Sequence, residues 1–194
     1  MILSQAYLRS IAQKNNFRTD SAQSKILNEN KAIRSAQTHY DLFVSHSYLD
    51  KVLVVTLVNL FNKAGYSVYV DWIVDSQLDR NSVNRKTASI IRQRMNRAKG
   101  LAYIATSNTT NSRWCPWELG YVDGKKGGMC TILPILKEPS SIFKGQEYLG
   151  LYPYLVYEKE SESNRFNFWV EESSEVYIIL SEWLNGSKPM RHNL

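Results

Sequence analysis

The sequence predicts an α/β fold, in which an open, doubly wound sheet of about five parallel strands follows an N-terminal helical extension. Short apolar runs alternate along the chain with helical segments of roughly ten residues or more, as in parallel sheets with helices on both faces. The chain of 194 residues is 43% hydrophobic, which suits one domain with a full core. Right-handed crossovers between successive parallel strands then produce an open sheet.

The extension, residues 1–37, is polar and basic. Its Lys and Arg residues outnumber Asp and Glu by four, out of an excess of six for the whole chain. Apolar residues near helical spacing at positions 2–11 predict a helix, and a linker follows it. Because the positive charge is concentrated in this arm, we expect no nucleic-acid-binding face. The domain is expected at residues 38–185, with a C-terminal tail at 186–194.

The first half of the domain contains two predicted strands. A short apolar run that ends at a small polar residue predicts the first, at 41–45. A helix at 52–64 ends on Gly65, the usual residue at a helix C-terminus. The second strand, at 66–70, is rich in β-branched and aromatic residues. Residues 72–85 then form a long polar loop, and loops of this length are usually functional or mobile.

The second half continues the alternation of helices and strands. Proline favours the first turn of a helix, so Pro116 predicts the start of one. The remaining elements are, in order, a helix at 87–98, a strand at 101–106, the helix from Pro116 to about Val122, strands at 130–136 and 152–156, and a helix at 173–184.

Cysteine content and hydropathy indicate a cytoplasmic protein. Cys115 and Cys130 are the two cysteines, too few for a disulfide framework. The N-terminus lacks the layout of a signal peptide. The most apolar stretch, 52–61, is too short to span a bilayer. We therefore expect no membrane partner.

Polar segments follow three of the predicted strands. They are Ser45-His46-Ser47, the 72–85 loop, and residues 107–117. In open α/β sheets, ligands bind beyond the carboxyl ends of the strands. These segments should therefore meet at one edge of the sheet. The third contains Trp114, and together the segments predict a binding site there.

The same segments resemble the Toll/interleukin-1 receptor (TIR) domain over about residues 38–185, and above all the bacterial TIR proteins of Thoeris-type antiphage defence. The resemblance implies the flavodoxin-like TIR fold. No Gly-rich phosphate loop is present, which disfavours a Rossmann dehydrogenase. The resemblance is carried by the boxes Tyr40–Ser47 with Asp50-Lys51 behind it, Gly65–Asp71, which leads into what this family calls the BB loop, and Ser112–Leu119.

The resemblance implies an activity and a catalytic residue. Enzymatic TIR domains cleave the bond between nicotinamide and ribose in NAD+, and some cyclise the product. NAD+ is then a substrate, and no cofactor is expected. The family's catalytic residue is a glutamate four positions after a tryptophan, which matches Glu118 after Trp114. The resemblance also implies self-association through the TIR domain and its BB loop, and a downstream effector that the product activates.

The residues themselves fit this chemistry. Nicotinamide in NAD+ is already a cationic leaving group, so the reaction mainly needs stabilisation of an oxocarbenium-like ribose. One carboxylate can provide it, and Glu118 sits near a helix N-terminus, where the helix dipole favours an ionised carboxylate. The same dipole makes a glutamate in a first helical turn ordinary, so the residues alone leave a purely structural role open for Glu118. The aromatic face of Trp114 suits stacking on nicotinamide or adenine.

Four residues near the strand ends are candidates for substrate binding, each with a structural alternative. Ser45 ends the first strand at the expected site. His46 follows it and lines the pocket or is a satisfied structural histidine. Asp71 ends the second strand and faces the site or caps a turn. Phe43 borders the pocket or packs at the strand end.

Further residues have more than one interpretation. Asp79 and Arg80, in the 72–85 loop, form a local ion pair or bind a phosphate or a neighbouring subunit. Trp117 is at the wrong spacing for the family's pair and is expected to be a core anchor. Cys115 as a nucleophile is disfavoured, because no histidine is an obvious partner.

Two other functions remain open at this point. A non-enzymatic TIR scaffold would recruit other TIR domains through the same loop, although such adaptors often lack the glutamate kept here as Glu118. A base-exchange transferase would share the carboxylate but use another acceptor. The identity of the product distinguishes them.

Overall fold

The computed structural model describes residues 2–15, 39–74, 84–138, 146–161 and 163–192. Strands of the described residues form one mixed sheet in the order β3-β2-β4-β5-β6-β7-β8-β9, with β1 paired to β5. The strands are β1 (Leu3–Ser4), β2 (Tyr40–Ser45), β3 (Val68–Tyr69), β4 (Ala98–Ala105), β5 (Cys130–Leu136), β6 (Tyr154–Lys159), β7 (Phe166–Ser173), β8 (Val176–Ile179) and β9 (Met190–Arg191).

The first five strands of this order, β3-β2-β4-β5-β6, are all parallel. The prediction of about five parallel strands is therefore confirmed. In the register of the two middle strands, Ser45 lies opposite Tyr103. On the far side of β6 the sheet continues in antiparallel pairings through β7, β8 and β9. Both β3 and β9, at the two ends of this order, have two residues.

Helices cover both faces of the sheet, as expected for a doubly wound fold. On one face, α2 contributes Leu57 and Phe61 to the core. On the other, Ile91 of α4 and Leu119 of α5 pack together. The helices are α1 (Gln5–Lys14), α2 (Lys51–Lys63), α3 (Asp71–Val74), α4 (Arg85–Asn96), α5 (Cys115–Lys126) and α6 (Leu180–Trp183).

The predicted helix at 173–184 is wrong. In the structure, β7 runs to Ser173 and β8 covers 176–179, leaving four residues of helix in α6. Val176, Tyr177 and the two isoleucines after them are residues that favour strands. Pairing with β7 satisfies their backbone groups, and this pairing outweighs the helical spacing of the apolar positions.

The first residues of the chain are part of the sheet and core. Leu3 pairs in parallel with Ile135 of β5. Ser4 caps α1, since its side chain accepts a 3.1 Å hydrogen bond from the backbone N–H of Tyr7. Leu8, in α1, is fully buried. The expected linker falls in residues 16–38, outside the described residues.

The polar loop predicted at 72–85 is shorter than expected, because helices occupy both of its ends. The short helix α3 occupies its start, and α4 begins at Arg85 with Asn84 as its cap. Residues 75–83 lie outside the described residues. Within the described parts of the chain, no helix is long and apolar enough to cross a membrane.

Candidate active site

The site is organised around a buried contact between β2 and α5. Ser45, the last residue of β2, donates a 2.6 Å hydrogen bond from Oγ to Glu118 Oε2. Neither residue is exposed. Glu118 lies in the first turn of α5, which has Pro116 at its start. The backbone dipole at this end of the helix stabilises an ionised carboxylate.

Two tryptophans flank the start of α5. Trp114 is buried, and its ring packs edge-on against Trp117 with centroids 5.4 Å apart. Trp117 is half-buried against the core, as expected for an anchor, and stacks on Tyr121 at 6.0 Å. Arg92 of α4 lies 5.9 Å from its ring centroid. These contacts fix both rings next to the carboxylate-bearing turn.

A cavity of about 420 Å³ opens beyond the C-terminal ends of β2 and β4. Of the sequence-predicted site residues, His46 and Trp114 line it. Its wall consists of residues 46–49 after β2 and of Asn108 and 111–114 after β4. Two of the three segments that were predicted to meet, those after β2 and β4, therefore do so, while most of the third, 72–85, lies outside the described residues. Its chemical lining mixes an aromatic face with amide and hydroxyl groups.

Glu118 does not line the cavity. Its side chain is fully buried, as is that of Ser45. Trp114 lies one helical turn before Glu118, and its carbonyl oxygen accepts a 2.8 Å hydrogen bond from the Glu118 backbone N–H. Because the Glu118 side chain has no exposed surface, a ligand cannot touch it until neighbouring groups move.

His46 has its ring nitrogens engaged by the protein. Nδ1 lies 2.9 Å from the carbonyl oxygen of Val44, and Nε2 accepts a 2.8 Å hydrogen bond from the indole N–H of Trp72. A carbonyl can only accept and an indole N–H can only donate. In this arrangement Nδ1 donates to the Val44 carbonyl and Nε2 accepts from the Trp72 indole. This favours the structural interpretation of the residue, although its ring also borders the cavity.

Two other predicted residues, Phe43 and Asp71, do not line the cavity. Phe43 is buried and stacks on Tyr69, with ring centroids 5.2 Å apart. This packing is the alternative that the sequence left open for it. Asp71 begins α3 and is buried, with Oδ1 3.6 Å from His46 Nε2. Asp79 and Arg80 lie outside the described residues.

The sequence did not predict the roles of two residues of the site. Asp50 is a buried carboxylate that joins the loop after β2 to the loop after β4 through Thr106 and Asn108. Tyr103 is buried, and desolvation, followed by the charges of Cys115, Tyr148 and Glu118, raises its pKa far above the ordinary value. The parallel pairing of two strands could have placed Tyr103 beside Ser45, had the register been known.

Cysteine and metal chemistry find no support among the described residues. Cys115 is fully buried. Burial and then the neighbouring Asp123 raise the pKa of the Cys130 thiol to about 12. No cluster of three or more His, Cys, Asp or Glu side chains in the described ranges could hold a metal ion.

Comparison with known proteins identifies the class. Residues 43–137 match the family described as the TIR-like domain of Thoeris protein ThsB. The match covers β4, β5 and α5, including the Trp114–Glu118 spacing, and makes this region of the chain a TIR-like domain. A solved structure, the TIR domain of the Toll-related receptor TRR-2 from Hydra magnipapillata, is 20% identical with a TM-score of 0.42, covering 59% of this chain and 82% of that one.

Two curated relatives narrow the family. A protein of Bacillus cereus (strain MSX-D12), named probable 3′ cyclic ADP-D-ribose synthase ThsB′, is 40% identical over 184 residues, 94% of each chain. The chain therefore belongs to the ThsB family of Thoeris TIR proteins. A protein of Cytobacillus dafuensis, named putative cyclic ADP-D-ribose synthase TIR2, is 36% identical over 83 residues, 42% of this chain and 22% of that protein.

Proposed function

We propose that this protein cleaves the bond between nicotinamide and ribose in NAD+ and closes the product into a cyclic ADP-ribose, a signal that activates a downstream effector in antiphage defence. The observation that carries the proposal is the buried Ser45–Glu118 pair, whose two members adjoin the cavity-lining residues His46 and Trp114 through the chain and through the 2.8 Å hydrogen bond from the Glu118 N–H to the Trp114 carbonyl. The near full-length relative named as a cyclic ADP-D-ribose synthase supports the choice of product.

The chemistry assigns one task to each residue. Glu118 stabilises the cationic ribose as the C1′–N bond breaks and nicotinamide leaves with the bonding electrons. Ser45 holds the carboxylate through its hydrogen bond. Trp114 offers its face to nicotinamide or adenine. A hydroxyl oxygen of the same molecule then attacks C1′ and loses its proton, which closes the ring.

The burial of Glu118 bears on when the enzyme is active. The carboxylate is fully buried in the isolated chain, so the cavity must extend to it before the ribose can bind. We propose that self-association through the TIR domain and the 72–85 loop favours this open arrangement. Activity per molecule should then rise with protein concentration, and a flat profile that persists under induced assembly would contradict the assembly proposal.

The test is mass spectrometry of purified protein incubated with NAD+, beside Glu118→Gln. We expect nicotinamide release by the unmodified protein and a loss of about a hundredfold or more in the variant, the scale seen when a charge-stabilising group is removed. The second product should be lighter than linear ADP-ribose by one water. Linear ADP-ribose would indicate hydrolysis, and a nicotinamide replaced by another base would indicate transfer.

A matched control lies on the same helix. Asp123 accepts a 3.1 Å hydrogen bond from the hydroxyl of Tyr152, away from the cavity. Asp123→Asn should therefore retain turnover. Equal turnover by Glu118→Gln and the unmodified protein would mean that another residue is catalytic. No turnover by an assembled protein at any concentration would favour a scaffold.

A further inference from the structure

A buried carboxylate lies behind the cavity wall, outside the pair described above. Asp50 follows the loop after β2 and is 3% exposed. Its Oδ2 accepts a 2.6 Å hydrogen bond from Thr106 Oγ1, and its Oδ1 accepts a 2.7 Å hydrogen bond from Asn108 Nδ2. Buried carboxylates are costly unless they are well satisfied, and both oxygens of Asp50 are. This arrangement ties together the two loops that form the cavity.

The arrangement also fixes the orientation of the Asn108 side chain. An ionised carboxylate can only accept hydrogen bonds, so the nitrogen end of the amide must face Asp50. The Asn108 backbone is fixed as well, because its N–H donates to Thr106 Oγ1 at 3.1 Å. Within the residues that the structure describes, the second N–H and the carbonyl oxygen of this amide make no other hydrogen bond. Asn108 is half-buried and lines the cavity.

The amide therefore presents one donor and one acceptor side by side. We propose that Asn108, held by Asp50, is a specificity-determining residue that recognises a matching donor–acceptor pair on the dinucleotide. This proposal rests on the proposed function. NAD+ carries two such pairs: the carboxamide of nicotinamide and the N1/N6 edge of adenine. Both offer the same chemistry to Asn108, and the experiment separates them.

The proposal makes Asp50 a positioning residue. Without its carboxylate, nothing would require the amide nitrogen to lie on the side of residue 50, and the amide could rotate so that donor and acceptor exchange places. Sites built to hydrogen-bond a substrate group discriminate strongly against analogues that lack it, because the buried polar atoms are left unpaired. Removal of either Asn108 or Asp50 should thus lower the preference for NAD+ over an analogue. The rate with the poor analogue itself should change less.

The experiment compares kcat/KM for three dinucleotides. They are NAD+, nicotinic acid adenine dinucleotide, in which a carboxylate replaces the carboxamide, and nicotinamide hypoxanthine dinucleotide, in which an oxygen replaces the adenine amine. The unmodified protein should disfavour one analogue by about tenfold or more. In Asn108→Ala, the ratio of kcat/KM for NAD+ to kcat/KM for that analogue should fall close to the value that the leaving group alone sets. The affected analogue identifies which end of NAD+ faces Asn108.

Two further variants separate specificity from folding. Asp50→Asn should lower the same ratio, since it replaces one acceptor oxygen by a donor. Thr110→Ala is the matched control, because Thr110 lies in the same loop after β4 but does not line the cavity, and its Oγ1 donates a 2.9 Å hydrogen bond to the carbonyl oxygen of Ser107. Its ratio should stay unchanged. A ratio within one variant does not depend on the fraction of folded protein, so a general loss of stability cannot imitate the result.

The substrate ratios of Asn108→Ala decide whether Asn108 determines specificity. If both analogue ratios are the same in Asn108→Ala as in the unmodified protein, the proposal is overturned. If the unmodified protein releases no nicotinamide, the proposed function fails instead. The comparison is then made with dissociation constants of the three dinucleotides measured by calorimetry on Glu118→Gln with and without Asn108→Ala, and equal constants again overturn the proposal.

Discussion

Ser45 Oγ and Glu118 Oε2 lie 2.6 Å apart and join residues that are separated by 73 positions in the chain. The contact is possible because β2 ends at the edge of the sheet where α5 begins. A hydroxyl donating to a carboxylate at this distance is a short, charge-assisted hydrogen bond. Ser45 contacts the candidate catalytic group rather than the cavity, so its expected task is to position Glu118.

Ser45→Ala should lower kcat with little effect on KM. The hydrogen bond to a charged group is worth about 1.5–3 kcal/mol, which corresponds to a loss of roughly ten- to a hundredfold if the carboxylate must be held in place for the reaction. Steady-state nicotinamide release measures both constants. A raised KM at unchanged kcat would instead place Ser45 in substrate binding, as the sequence suggested.

The two thiols should be inert in the folded protein. Cys115 and Cys130 are fully buried, and the pKa of Cys130 is raised to about 12. At about pH 8, alkylation by iodoacetamide should therefore be slow until denaturant is added, after which both thiols react. Cys115→Ala should keep nicotinamide release within a few-fold of the unmodified protein. Rapid native alkylation of Cys115 with loss of turnover would reopen the nucleophile interpretation.

Two glycines should respond in opposite directions to a single methyl group. At Gly100, an added Cβ would lie 3.0 Å from the carbonyl oxygen of Met129 and 3.1 Å from the ring of Trp183. Gly100→Ala should destabilise the protein by about 1–3 kcal/mol through overpacking.

The matched variant is Gly120→Ala in α5, where nothing lies within 4 Å of the added Cβ. It should stabilise the protein by up to about 1 kcal/mol, because alanine favours a helix interior. Urea unfolding measures both variants. A stabilising Gly100→Ala would mean that Trp183 is not held against β4.

The stability of the protein should depend on Asp41 at acidic pH. Burial acts to raise the pKa of Asp41, but hydrogen bonds from Ser67 and the ion pair with Lys99 at 3.1 Å outweigh it, so the pKa lies below 3.8. A pKa lowered by folding contributes stability above the unfolded value, and that contribution disappears as pH falls through the folded value.

The free energy of unfolding of Asp41→Asn should therefore lie below that of the unmodified protein near about pH 6, and the gap should close toward about pH 3. Urea unfolding at several pH values checks this. Lys99→Gln provides the control, because it removes the ion pair and leaves the Ser67 hydrogen bonds. A gap that widens as pH falls would show that Asp41 is not stabilised by folding.

Local patterns were sufficient for the central sheet and for the spacing of the site. Apolar runs predicted the parallel strands. The order of the three boxes predicted that Trp114 and Glu118 lie at the edge of the sheet where these strands end. The C-terminal strands were not predicted from the sequence, because Val176 and Ile179 have the spacing of a helix although both residue types also favour strands. Only pairing with β7, which a single sequence does not reveal, decides between the two.

The contacts within the site depend on distant parts of the chain. The ring of His46 could be interpreted as a ligand or a structural group until Trp72 was seen to donate to it. The bond from Asn108 to Asp50 crosses two loops, and neither residue belongs to a spacing that suggests the contact. Burial of Glu118 is likewise a tertiary property, which no motif expresses.

The two-residue strands at the ends of the sheet affect how copies of the protein can meet. A long exposed edge offers a row of unpaired N–H and C=O groups on which another chain can grow as an added strand. Here β3 and β9 present little of that row. Growth by addition of a strand from another copy is therefore disfavoured at these two ends of the sheet.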